Sequence, residues 1–413
     1  MPYKKFSHVK IPAALNKPIL VDENGLPRYW SVIWASLFTH NLESSSETMK
    51  LRHIESLYTF ADNLNRTGYL DDILSEIDIL AIGNLLEAFF IQLRNQNKIT
   101  GATEIKWQTC FSFVKSITTH LSKNQININK FSAIESKLFH LGQLYGQLRI
   151  QKSKRPDIMR SLPADVVACL YDMLDPSPES TSNPFKRNKS RWNVFITYIC
   201  MLHMGLRRGE ILLLPVNAIK SAFDEKQGRK RYWINVQTFE EEDYQDTRYN
   251  KPSIKTVDSI RQIPVSELTA NLIQIYTENY RGKPPHPFLF NSQWGTPLSH
   301  ESLTKYYEKI SSRIPKNILQ TLIDRTGKNT VTPHDLRHTC AVVRLSQFLE
   351  NGDTVELAMP KMRVFFGWSK ESNMPSKYAR AVFEDRISSI WSNIMDDRVT
   401  VLRNIPKGFQ NEN

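Results

Sequence analysis

With 413 residues, 40% of them hydrophobic, the chain has room for about two to three domains that each bury a core, which excludes a single small module. Lysine and arginine total 54 against 42 acidic residues, and a formal charge of +12 favours a polyanionic partner through phosphate neutralisation, with a basic but merely solvated surface as the alternative. Cys110, Cys169, Cys200 and Cys340 are scattered without metal-ligand spacing, as expected of small buried hydrophobes in a reducing compartment, and no apolar run reaches the ~18 residues of a membrane span, so a cytoplasmic, DNA-accessible location is expected.

Residues 1–45 mix Pro2, Pro12, Pro18 and Pro27 with Tyr29, Trp30 and Trp34 and show no clear period; they read as an N-terminal extension of uncertain fold. From Ser46 the pattern turns helical. Leu51, Ile54, Leu57, Tyr58 and Ala61 recur at three- and four-residue steps, and further apolar stretches over 73–90 and 107–121 predict an all-helical domain spanning 46–148. Residues 149–160 form a basic linker that ends its charge run at Pro156. Its Arg149, Lys152, Lys154 and Arg155 are candidates to lie along phosphates, or else to be simply solvated.

A second domain is predicted over 161–395, with a tail over 396–413. Ser161 is a candidate N-cap for a helix whose inner face carries Val166, Val167, Leu170 and Leu174, and 192–203 is a further apolar helical run. Residues 231–236 and 261–265 read as short strands flanking a polar loop. Helical periodicity returns at Leu268, Leu272 and Tyr276 and dominates from Ser302 to Asp397, so the domain is mostly α with a small sheet. Past residue 380, Phe383, Ile387, Ile390, Trp391 and Ile394 make an amphipathic stripe that either packs within its own domain or docks on a neighbouring protomer.

The chemistry-bearing groups lie in four places. Gly205-Leu206-Arg207-Arg208-Gly209-Glu210 puts Arg207 where an apolar helix meets a turn, and Lys255 precedes the strand Arg261–Val265. Thr332-Pro333-His334-Asp335-Leu336-Arg337-His338-Thr339 carries His334, Arg337 and His338 at i, i+3 and i+4, on one face of a helix that starts after Pro333. Trp368 and Tyr378 follow. Phosphoryl transfer asks a protein mainly to position groups and stabilise charge, a task suited to the planar, permanently charged arginine fork. Each residue also has a plainer reading: a salt-bridged arginine, a solvated lysine, a core tryptophan. His334 and His338 superficially copy the zinc-protease spacing, but Asp335 is short, Arg337 sits between the two rings and no third ligand motif follows.

In this order the elements resemble the tyrosine recombinase, or phage integrase, family: the first arginine box at Gly205–Glu210, the hairpin lysine at Lys255, the His-x-x-Arg box at Thr332–Thr339 and the nucleophile at Tyr378. The resemblance implies a helical core-binding domain over 46–148 and an α/β catalytic domain, together forming a C-shaped DNA clamp. It further implies that Arg207 and Arg337 bind the scissile phosphate while Tyr378 attacks it to leave a 3′-phosphotyrosyl link. Lys255 would then be the general acid, His334 would assist proton transfer, Trp368 would donate to the phosphate and Glu210 would have a structural role. Neither metal nor cofactor would be needed. The implied function is site-specific recombination, as the integrase of a mobile element. The implied partners are double-stranded DNA attachment sites, three further copies of the chain in a synaptic homo-tetramer, and accessory DNA-bending or directionality proteins. A relaxing topoisomerase, a hairpin-forming resolvase and an inactive architectural DNA-binding protein are the alternatives. Pro375 just before the tyrosine and the acidic run Glu240–Asp243 depart from the family pattern.

Overall fold

The computed structural model describes residues 3–5, 18–39, 42, 44–96, 100–123, 128–147, 161–226, 228–237, 244, 246–254 and 257–378. The chain divides into two compact units, Met1–Arg155 and Pro156–Asn413. The linker cations Arg149, Lys152, Lys154 and Arg155, Lys255, the acidic run 240–243 and the tail stripe beginning at Phe383 lie outside the described residues.

In the first unit two short strands, β1 (Tyr3–Lys5) and β2 (Pro18–Leu20), precede helices α1 (Tyr29–Phe38), α2 (Ser44–Leu64), α3 (Tyr69–Ser75), α4 (Ile79–Arg94), α5 (Gly101–Ser122) and α6 (Ile128–Gln147). The stripe Leu51, Ile54, Leu57, Tyr58 and Ala61 of α2 is buried and meets Cys110, Phe113 and Ile117 of α5 in one core. Leu20, Trp30, Trp34 and Ala35 belong to that same core, so no break in packing falls at residue 45. Their helix is anchored from outside: Asp71 accepts from the Tyr29 and Trp30 backbone N–H groups at 2.9 and 3.2 Å, capping α1 with a carboxylate from α3. The apolar stretch 73–90 is divided between α3 and α4. Ile77 turns the chain at φ +53°, a costly conformation for a β-branched residue, and Asp78 then caps α4 by accepting from Leu80 and Ala81 N–H at 3.1 and 3.0 Å.

The second unit is built around α8 (Asn188–Met204), which is buried on nearly every face and packs against α13 (Pro333–Glu350). Around this pair lie α7 (Ala164–Leu174), α9 (Arg208–Leu213), α10 (Glu267–Ile275), α11 (His300–Ser311), α12 (Lys316–Thr326) and α14 (Val355–Phe366). Strands β3 (Ile219–Asp224), β4 (Arg229–Val236) and β5 (Arg261–Val265) form an antiparallel sheet in the order β3-β4-β5. Pro264 sits on the edge strand β5, where a missing N–H costs no central ladder bond. Beyond the two expected strands, β3 is an addition: its Ser221, Ala222 and Phe223 are exposed and give no alternating signal.

The expected cap at Ser161 is corrected. The N-cap of α7 is Pro163, whose φ of −59° already suits a helix start, and Ser161 lies upstream, buried. The adjoining Leu162 N–H donates to Thr339 Oγ at 2.8 Å, tying the start of the unit to α13. Val166, Val167, Leu170 and Leu174 are buried as their spacing requires. Among the described residues no helix is long and apolar enough to cross a membrane.

Candidate active site

Local sequence starts α13 where the site needs it. Thr332 and Asp335 close a capping box, in which Thr332 Oγ accepts from the Asp335 N–H at 3.4 Å and Asp335 Oδ2 accepts from the Thr332 N–H at 2.9 Å, with Pro333 in the first turn. Five and six residues past the cap, Arg337 and His338 then point inward at 4% and 8% exposure, while His334 stays exposed at the rim. The two imidazoles touch edge to face, with centroids 4.3 Å apart.

Arg207, the N-cap residue of α9, is held by three groups. Its Nη1 donates to Glu210 Oε1 at 2.6 Å and to Ser259 Oγ at 2.9 Å, and its Nη2 donates to the Gly367 carbonyl at 2.8 Å. Arg337 is held in the same manner. It donates to the Gly205 carbonyl and, at 2.6 Å, to the Phe366 carbonyl. Gly205 and Gly367 end α8 and α14 in the left-handed region, at φ +60° and +58°, so the two arginines rest on carbonyls at the electronegative ends of two helices.

Glu210 joins these arginines. Its carboxylate, 2% exposed, also accepts from Arg261 Nη1 and Nη2 at 3.1 and 3.0 Å, and Arg337 Nη1 lies 3.9 Å away. Burial alone would raise its pKa, but the hydrogen bonds and charge of Arg261, then the charges of Arg337 and Arg207, outweigh it and hold the carboxyl below its ordinary range. Burial, and next the charge of Arg207, pushes Arg337 down to about 9, so it remains a cation at neutral pH. Three guanidiniums against one carboxylate leave an excess of positive charge at a partly open pocket, since the Arg207 side chain keeps 22% exposure. An incoming phosphate would relieve that excess.

Tyr378 lies across this cluster. Residues 374–378 are helical, and Pro375 falls in the first turn, where a missing N–H does no harm. The Tyr378 ring stacks on Trp368 at 5.4 Å and 10°, and Trp368 stacks on Phe366 at 4.8 Å. Trp368 is thus a core residue and a wall of the site at once. The Tyr378 hydroxyl is hydrogen-bonded to His338 Nδ1. Of the six residues singled out by sequence, the structure brings Arg207, His334, Arg337, Trp368 and Tyr378 to one site. Lys255 lies outside the described residues, but both of its flanks pass the arginine box: Ser259 accepts from Arg207, and the Ser253 carbonyl is 2.8 Å from where a Cβ on Gly209 would stand.

Two contributors escaped the sequence reading. Arg261 was visible only as a strand residue, although its inward position alongside Ile263 signals a buried carboxylate partner. His338 was noted for its place on the helix face, and nothing in the sequence could say which of the two imidazoles meets the phenol.

Residues 188–384 match the model of the phage integrase family. Solved structures similar to this chain include a crystal structure of XerA recombinase, at 13% identity and a TM-score of 0.33 over 90% of this chain and 97% of that one. Another is XerH site-specific recombinase bound to difH substrate in a pre-cleavage complex, at 14% identity and a TM-score of 0.37 over 90% and 95%. Neither likeness is close enough to carry weight. No curated protein matches the sequence.

Proposed function

We infer that this chain, a member of the phage integrase or tyrosine recombinase family through residues 188–384, serves as the site-specific recombinase of a mobile element, cutting and rejoining double-stranded DNA. The observation that carries the reading is the sharing of one buried carboxylate, Glu210, by Arg207 and Arg337 beside the Tyr378 phenol. In this reading the two guanidiniums hold the non-bridging oxygens of the scissile phosphate and stabilise the charge that builds in the transition state, work that a metal does in other phosphoryl-transfer sites. The Tyr378 oxygen bonds to phosphorus, the bond to the 5′-oxygen breaks, and Lys255 protonates that oxygen as it leaves. Trp368 borders the phosphate and His334 faces it from the rim. The reaction runs in a homo-tetramer that holds two attachment sites, with accessory DNA-bending proteins setting direction, in the cytoplasm.

The test is a nicked suicide duplex, from which the cut fragment diffuses away and traps the covalent intermediate. The parent chain forms an SDS-resistant, protease-sensitive adduct, and Tyr378→Phe binds the same duplex but forms none. An adduct from Tyr378→Phe would overturn the nucleophile, and DNA binding by the parent without any adduct would favour the architectural alternative.

A further inference from the structure

We propose that His338, rather than His334, takes the phenol proton of Tyr378 as that oxygen attacks phosphorus; the inference rests on the recombinase reading and assigns one more catalytic residue to its site. Both imidazoles lie on the same face of α13, and it is His338 whose hydrogen bond reaches the nucleophile. Its Nδ1 is hydrogen-bonded to the Tyr378 hydroxyl, with ring centroids 5.5 Å apart, while the exposed His334 ring meets the ring of His338.

Burial makes this contact consequential. Tyr378 is 6% exposed and His338 8%, so water has little access to the phenol, and the imidazole nitrogen in hydrogen-bond contact with it is the base at hand. A phenol that donates to Nδ1 requires the tautomer that carries its hydrogen on Nε2. The surrounding charges govern when the proton moves. Arg207, Arg261 and Arg337 outnumber Glu210, which favours a phenolate but opposes an imidazolium beside it. As the Tyr378 oxygen bonds to phosphorus, its charge passes to the non-bridging oxygens between the arginines, so the proton leaves in the same step as the attack.

The step balances. The Tyr378 O–H bond breaks and its proton goes to His338 Nδ1, the O–P bond forms, and the P–O5′ bond breaks, the leaving oxygen taking its proton from Lys255. On rejoining, the 5′-hydroxyl attacks, Lys255 recovers its proton, and the His338 imidazolium returns its own to the departing Tyr378 oxygen.

The experiment compares full-length His338→Asn and His334→Asn on the nicked suicide duplex and on the same duplex with a 5′-bridging sulfur. Asparagine offers an acceptor near the Nδ1 position but cannot take a proton. His338→Asn is expected to bind DNA like the parent and to form adduct about 10²–10⁴-fold more slowly on both duplexes, because sulfur aids only the leaving group. His334→Asn is expected to lose less. Adduct formation by His338→Asn within threefold of the parent, or a larger loss for His334→Asn, overturns the assignment. Should His338→Asn fail to fold, ¹⁵N-histidine NMR of the unaltered chain decides: a hydrogen on Nδ1 of His338 overturns the proposal, and one on Nε2 supports it. Neither result touches the recombinase reading, which stands or falls with the Tyr378→Phe adduct.

Discussion

Gly205→Ala tests the way the arginines are held. Gly205 ends α8 at φ +60°, and a Cβ built there would press into a Phe366 ring carbon, with a second ring carbon at 3.0 Å and Cys340 Sγ at 3.2 Å. The left-handed backbone costs a non-glycine residue roughly 1–2 kcal/mol. Forcing a methyl into a packed core adds roughly 1–3 kcal/mol. Gly228 separates the two contributions, because it shares the φ of +60° but has nothing within 4 Å of its would-be Cβ. Gly228→Ala should therefore lose only the backbone cost. Gly205→Ala should lose about 3 kcal/mol, a fall of roughly 6–12 °C in the melting temperature of a unit this size. Because the Gly205 carbonyl accepts from Arg337 and Phe366 supplies that guanidinium's other carbonyl, Gly205→Ala should also slow adduct formation at temperatures well below its own melting. Calorimetry and the suicide-duplex assay read the two effects. Equal melting shifts for the two variants, or a destabilised Gly205→Ala with parental cleavage, would refute the carbonyl-cradle argument.

Three other predictions concern the same unit. If Lys255 is the acid for the leaving 5′-oxygen, a 5′-bridging sulfur should restore cleavage by Lys255→Ala far more than by Arg337→Ala, and equal restoration would remove Lys255 from that role. Glu210→Gln leaves Arg261 and Arg337 buried without their carboxylate, so denaturant titration should show a loss of about 3–5 kcal/mol, with activity falling too; a loss below about 1 kcal/mol would mean the guanidiniums do not depend on it. Burial pushes His203, His286 and His300 down to about 4. Their folded pKa values lie below the unfolded value, so between pH ~6.5 and ~4 the unfolded chain binds more protons and stability should fall with pH; a flat melting temperature across that window would contradict the burial.

The resemblance to the phage integrase family, the fold class and the order of the chemical groups were legible in the sequence because each rests on local pattern. The apolar stripes of α2 and α7 follow from three- and four-residue spacing, and α13 starts at Thr332-Pro333 because a capping box and an N-terminal proline are written in adjacent residues. Where the chain departs from local rule, sequence reading lost its footing. Ile77 breaks an apolar run that looks continuous, Ser161 has a cap's chemistry but not its position, and α1 is capped by Asp71, a residue no local window contains. The site divides the same way. Arg207, Arg337 and Tyr378 could be singled out from their motifs, since each motif is local in the chain. Which atoms hold each group could not, because Gly205 and Gly367 present their carbonyls only after α8 and α14 have packed, and Arg261 reaches Glu210 only once β5 lies beside α9. Tertiary packing alone chose between His334 and His338. Four residues apart on one helix, they are equivalent to any periodicity, and only the direction from which Tyr378 approaches α13 brings His338 to its hydroxyl.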